Sequence, residues 1–368
     1  MSAVLLLTAC SAARGKGLSG TSKEELAESL TKYMERMDIH GSLYAVYHGD
    51  TIIDTSRGSN SGKGSDIVYA VASVTKQITA SCVMKLYEQG KLDIEDKLSK
   101  YFPDYRYGDK ITVKQLMYQR SGIPDFSVDS YDGAVWVSCD NSEKEIELKR
   151  SSTAEENEKL IRELFLSCDL LFEPEEYFYY SDSNFSLLAE IVAQVSGMNF
   201  HEYVRANIFK PLGMDTASFI DDHSYGPEVT IAKTDTKEFD YDYFDYKGAE
   251  YGCGDMMAAP ADLYKWYKGF TRGKVVSDKY YKMMTESYSA PDELGYGFGL
   301  MISDTEDCKA LFHYGWIPSY YSSVFMVPDY DLFITLLANG ADGNPHGTAS
   351  VIAGRIANNI GADIGSVE

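Results

Sequence analysis

Positive charge is scarce in this chain of 368 residues. Its 34 Lys and Arg face 56 Asp and Glu, a formal net charge of −22. That balance argues against nucleic acid as a partner, because affinity for phosphate comes mostly from Lys and Arg. It argues equally against docking on anionic lipid by charge. Cysteine is sparse, six in all, with no C-x-x-C and no zinc spacing. Cys82, Cys139, Cys168, Cys253 and Cys308 are odd in number, so at least one is unpaired within the chain, and they read mostly as buried small hydrophobes. No apolar run reaches the roughly 18 residues of a membrane span. G-x-S-x-G, H-E-x-x-H and P-loop patterns are missing, which argues against an α/β-hydrolase elbow, a zinc protease helix and a nucleotide cradle.

Against these absences stands a composition that is 44% hydrophobic and 13% aromatic, enough for one large core or two interleaved ones. Two stretches place a serine three residues before a lysine: Ser29-Leu30-Thr31-Lys32 and Ser73-Val74-Thr75-Lys76. On a helix that spacing puts both side chains on one face, so the amine reaches the hydroxyl. The first pair lies in a segment that reads as an ordinary surface helix. The second opens a run in which Val74, Ile78, Cys82 and Leu86 recur every four residues until Gly90 closes the helix.

The rest of the pattern runs from strands to helices and back. Glu24–Met37 has helical spacing, followed by a strand pair at 42–47 and 51–56. Residues 91–250 read mainly as helix: 94–101, 113–117, 155–168, 183–196 and 200–209, with 126–152 a surface insertion lacking a period. Strands return at 296–301, 310–314, 322–327 and 332–338, with a hairpin turn at 328–331 and a closing helix at 350–360. The acidic, tyrosine-rich stretch 238–251 lacks the spacing of a calcium loop and reads as an aromatic wall beside a cleft. The expected fold class is α/β (α+β). An antiparallel sheet built from both chain ends (about 23–75 and 250–368) is flanked by helices, and a mainly helical part (about 76–249) is inserted between them. The cleft at the junction is the natural place for a site.

Three further stretches single out Ser73: Tyr180-Ser181-Asp182 opening a helix, His313-Tyr314-Gly315-Trp316 ending a strand, and Ile111–Met117 followed by Ser121-Gly122-Ile123-Pro124. In this order they resemble the serine β-lactamase and penicillin-binding protein family, in its class C β-lactamase and D-alanyl-D-alanine carboxypeptidase branch. The family motifs S-x-x-K, Y-x-N and K-T-G or H-x-G would fall on Ser73/Lys76, Tyr180/Asp182 and His313/Gly315. The resemblance extends from about Gly41 to the end.

It implies that Ser73 attacks a carbonyl and becomes an acyl-enzyme, with the backbone N–H groups of Ser73 and Trp316 as oxyanion hole. Lys76 and Tyr180 are the candidate bases, and His313 orients Tyr180 and the substrate. Asp182 departs from the family's asparagine. An ionised aspartate only accepts hydrogen bonds, and beside Lys76 it raises the lysine pKa. The expectation is therefore a charged Lys76 paired with Asp182, with Tyr180 carrying the proton. Gln119-Arg120 replaces the family's His-Thr and reads as structural. The implied substrates are small peptides, amides or esters, D-alanyl peptides of peptidoglycan origin first. The resemblance calls for no cofactor and no metal. A β-lactamase, a carboxylesterase and a non-catalytic wall-binding module silenced by Asp182 are the alternatives.

The first residues carry a separate signal. Leu7-Thr8-Ala9-Cys10 resembles a bacterial lipobox, though without the usual basic start. Residues 1–22 would then be signal and tether, Cys10 the lipidated residue, and the protein extracytoplasmic, touching the membrane only through that anchor.

Overall fold

The computed structural model describes residues 22–58, 61–62, 64–128, 133–139, 142–221, 246–290, 293–341 and 344–365. Cys10 and residues 238–245 lie outside them.

The central sheet draws its strands from both ends of the chain. β1 (Ile39–Tyr47) and β2 (Asp50–Ser56) form a hairpin, and β1 pairs on its other side with β13 (Leu332–Ala341). Next come β12 (Tyr320–Val327), β11 (Lys309–Ile317), β10 (Met301–Asp304) and β9 (Gly295–Tyr296), every pair antiparallel. Period-two alternation divides the strands between two cores. Leu43, Ala45, Phe312, Phe325 and Ile334 face α1 (Lys23–Arg36) and α10 (Pro345–Asn359). Tyr44, Val46, Leu311, Val324 and Phe333 face the larger core, where α8 (Pro260–Thr271) packs.

α1 buries only Leu26, Leu30 and Met34 and starts at a capping box between Ser22 and Glu25. Ser29 and Lys32 point to solvent, and Lys32 pairs with Glu28 at 2.5 Å. That serine–lysine pair is the surface feature its sequence suggests.

The helical part comprises α2 (Thr75–Glu88), α3 (Val113–Met117), α4 (Ala154–Leu166), α5 (Asp182–Ser196), α6 (Phe200–Val204) and the short α7 (Lys210–Leu212). α2 and α5 pack against each other in its middle. Two small sheets complete it: β3 (Tyr69–Ala70) with β8 (Met256–Ala258) and β7 (Ser218–Phe219), and β4 (Phe126–Val128) with β5 (Ala134–Cys139) and β6 (Ser142–Glu147). Among the described residues no helix is long and apolar enough to cross a membrane.

Several expectations are corrected. The 126–152 stretch is not an unpatterned insertion; it folds as the β4–β5–β6 sheet, whose β6 is almost wholly polar and outward. Cys139 at the end of β5 meets Cys168 just beyond α4, Cα atoms 5.7 Å apart, and the two form a disulfide; Cys82, Cys253 and Cys308 are buried and free. Residues 94–101 hold one 3₁₀ turn (Leu98–Lys100), not a helix. The strand expected at 296–301 breaks at Gly297–Gly299 into β9 and β10. α8 and α9 (Asp278–Met284), unforeseen, stand on the sheet side of the chain. Tyr246 and Tyr251, taken as part of an aromatic wall, are core residues.

Candidate active site

From Ile67 to Met84 every side chain is buried except one, Ser73. The chain leaves β3 through Val71, whose N–H donates to Met256 O at 3.0 Å and whose carbonyl accepts from Ser322 Oγ at 2.6 Å. Ala72 then takes a left-handed conformation (φ 46), strained for a residue with a Cβ. A 3₁₀ turn over Ala72–Val74 runs straight into α2. Thr75 locks the bend, its hydroxyl donating to Ala72 O at 2.7 Å and accepting from Met256 N at 3.1 Å. Ser73 is thereby held at a helix N-terminus, where unpaired N–H groups and the helix dipole favour a developing negative charge.

Lys76 is wholly buried, one turn on. Its three ammonium protons have three acceptors: Ser73 Oγ at 2.9 Å, Cys253 O at 2.8 Å and Asp182 Oδ1 at 2.6 Å. Burial pulls the lysine pKa down, but the Asp182 carboxylate, with Tyr180 and Cys253, reverses this and holds it well above the ordinary value. At neutral pH Lys76 is an ammonium. Asp182, Glu250 and Cys253 bring their donor atoms within 4.8 Å of one another, and the ammonium touches Asp182 and the Cys253 carbonyl.

Tyr180 lies across the same group, its ring centroid 4.9 Å from Lys76 Nζ, and both Lys76 and Ser73 act on its phenol to lower its pKa. Burial, aided by Asp182, raises its pKa in spite of the lysine beside it. At neutral pH Tyr180 is a phenol, not a phenolate. Gln119 brackets it from both sides: Gln119 O accepts Tyr179 N at 2.9 Å and Gln119 Oε1 accepts Ser181 N at 3.1 Å. The structural reading of Gln119 holds, and its service is to the site.

His313 and Gly315 come from β11 where β10 stops, since β10 pairs only with residues 309–312. The serine turn packs there instead, and Gly315 allows it: a Cβ at 315 would stand 2.3 Å from Val71 O and 3.0 Å from Ala72 Cβ. His313 is completely buried, Nδ1 2.5 Å from Tyr314 O and Nε2 3.3 Å from Tyr296 Oη. A carbonyl opposite Nδ1 places the proton there, so Nε2 accepts from the tyrosine. Burial and then the Lys76 charge bring the His313 pKa down to about 3. His313 meets Tyr180 directly, ring centroids 6.1 Å apart, and also through Tyr296, whose ring meets Tyr180 edge-on at 6.3 Å. Trp316, 55% exposed, follows on the same strand at the open end of the site.

Two members escaped sequence reasoning. Asp125 accepts Asp182 N at 2.6 Å and caps α5 in place of Ser181, whose side chain makes no cap. Its only signal is its place after Ser121-Gly122-Ile123-Pro124. Cys253 contributes a carbonyl, which no side-chain motif can announce.

A buried serine–lysine–tyrosine constellation on a helix N-terminus, set between an antiparallel sheet and a helical layer, defines a serine hydrolase. The Beta-lactamase family profile matches residues 26–358, and the chain belongs to that family. It is 27% identical over 285 residues to the protein designated penicillin-binding protein PbpX of Bacillus subtilis (strain 168), a match covering 75% of this chain and 65% of that one. Among solved structures, the octameric penicillin-binding protein homologue from Pyrococcus abyssi superposes with a TM-score of 0.75 at 24% identity, over 93% of this chain and 78% of the other. The D-amino acid amidase from Ochrobactrum anthropi SV3 superposes with a TM-score of 0.73 at 22% identity, over 91% and 97%. At these identities the structures speak for the β-lactamase/transpeptidase fold.

Proposed function

We propose that Ser73 is the nucleophile of an acyl-enzyme mechanism acting on D-alanyl peptides of cell-wall origin. The observation that carries the reading is Lys76, donating to Ser73 Oγ at 2.9 Å while held by Asp182 at 2.6 Å. A lysine so paired fixes the serine oxygen and attracts negative charge, but takes no proton. Tyr180, whose ring centroid lies 4.9 Å from Lys76 Nζ, is the remaining titratable group beside Ser73. As Ser73 Oγ bonds to the carbonyl carbon, its proton passes to Tyr180 Oη while Tyr180 gives its own to the leaving nitrogen. The C–N bond breaks and an ester remains on Ser73. Water then cleaves the ester, giving up its proton by the same relay run backwards. The backbone N–H groups of Ser73 and Trp316 receive the oxyanion; loss of one such donor typically costs about 2.7–4 kcal/mol. Neutral His313, packed against Tyr180 and bonded to Tyr296, orients Tyr180.

The substrate class is supported by the similarity to PbpX, designated a penicillin-binding protein. The chain spans 65% of that protein's length, so its activity is carried here only as part of the proposal. An extracytoplasmic site of action with a lipid anchor at Cys10 belongs to the same proposal, supported by the Cys139–Cys168 disulfide, a bond that persists in oxidising compartments. A second reading, hydrolysis of D-amino acid amides, is supported by the fold shared with the D-amino acid amidase from Ochrobactrum anthropi SV3.

Incubation with a fluorescent penicillin, a chromogenic ester and D-alanine amide, beside Ser73→Ala, separates these. Stable Ser73-dependent labelling supports the peptidase, and rapid penicillin turnover a β-lactamase. Amide or ester cleavage without labelling supports an amidase or esterase. No reaction with any of them overturns the acyl-enzyme.

A further inference from the structure

Behind the site lies a buried pair that the mechanism does not use. His201 Nε2 is 2.6 Å from Asp255 Oδ2, the side chains 13% and 5% exposed. His201 sits in the first turn of α6, its N–H given to the cap residue Asn199 at 2.9 Å. Its ring stacks on Phe219, centroids 3.8 Å apart and nearly parallel, with Tyr251 at 5.2 Å. Histidine packed this firmly on one partner has little freedom left at its outer nitrogen.

Asp255 transmits that rigidity. Its second oxygen, Oδ1, accepts Gly252 N at 3.2 Å, and its carbonyl accepts Ile220 N at 2.8 Å. The turn 252–255 is thus tied at both ends. Gly252 is left-handed (φ 71), and a Cβ there would stand 2.3 Å from Ala189 Cβ on α5, so the turn is wedged against the helix that carries Asp182. Two carbonyls of the turn point to α2: Gly252 O accepts Thr79 Oγ1 at 2.7 Å and Cys253 O accepts Lys76 Nζ at 2.8 Å. One of the three contacts that aim the Lys76 ammonium at Ser73 therefore originates in this turn.

We propose that His201 is a positioning residue for the reaction: through Asp255 it holds the 252–255 turn, and through the Cys253 carbonyl it holds Lys76 on Ser73. The inference rests on Ser73 being the nucleophile. It assigns His201 no contact with substrate.

The test compares H201F, which keeps the aromatic stack but loses the hydrogen bond, with H201Q, which restores a donor near Nε2. Acylation by fluorescent penicillin gives the rate and apparent affinity, and amide hydrogen exchange of the full chain gives protection across 252–256. H201F should acylate up to about a hundredfold more slowly, the loss that misplacing a catalytic group from a distance can cause. Its affinity should be unchanged and exchange at 252–256 faster, with H201Q close to wild type on all counts. A wild-type rate in H201F, or an equal loss in both variants, overturns the proposal. If H201F does not fold, D255A and D255N make the same comparison, since only D255N keeps an acceptor for Gly252 N. If wild type is never labelled, the reading of Ser73 falls. The positioning role then falls with it, and exchange shows only whether His201 holds the 252–255 turn.

Discussion

Asp182 Oδ1 lies 2.6 Å from the ammonium of Lys76, a side chain with no exposure to solvent. An unpaired charge in such a place costs several kcal/mol, so the aspartate settles what the lysine can do. Asp182→Asn removes the countercharge, and the Lys76 pKa should fall by about 1–3 units. In the pH–rate profile for Ser73 acylation, any alkaline limb set by Lys76 moves to lower pH by a similar amount. A superimposable profile would show that Asp182 does not govern the proton traffic.

Gly315 and Ala72 make a tighter demand. Gly315→Ala puts a methyl 2.3 Å from Val71 O, beside a backbone already strained at Ala72. The strand must retreat from the serine turn. The expected stability loss is about 1–3 kcal/mol, read as a lower melting temperature. The acylation rate should fall about a hundredfold, as the oxyanion donors separate.

His313 makes stability acid-sensitive. Its folded pKa is brought down to about 3 by burial and by Lys76, against about 6.5 in an unfolded chain. Between these values the unfolded state binds more protons, so stability declines as pH falls through that window. His313→Gln should flatten this decline in chemical denaturation measured at several pH values. An unchanged slope would place the acid sensitivity elsewhere.

Glu158 works in the opposite sense. Burial, with Asp255, Glu190 and Asp221 near it, pushes its carboxyl pKa up to about 8. The folded state then holds a proton that the unfolded state has released, and stability declines as pH rises towards that value. Glu158→Gln should raise the melting temperature at about pH 9 and leave it nearly unchanged at about pH 4. Equal shifts at both would show that the gain is unrelated to this proton.

The parts of the molecule with a strong period or an ordered motif were legible in the chain. α5 was framed by its period over 183–196, and the strands expected at 310–314, 322–327 and 332–338 by alternation across the turn at 328–331. β6 was not, because Ser142–Glu147 turns no broad apolar face inward and owes its strand to pairing with β5. Ser73, Lys76, Tyr180 and Asp182 were placed together by motif order. Asp125, Cys253 and His201 were not, because they act through a cap, a carbonyl and a turn. Those are properties of the folded backbone, not of residue type.

The register of β1 against β13 runs from Ile39↔Ala341 to Tyr47↔Leu332. A chain still emerging from the ribosome holds Ser73 early but lacks β11 and the strand that closes β1. Such non-local pairing is slow to form, and until it does Gly315 has nothing to press against the serine turn. Synthesis thus assembles the site in two instalments: a chain truncated before β11 holds Ser73, Lys76, Tyr180 and Asp182 but lacks His313, Gly315 and Trp316, the wall that closes on the serine turn.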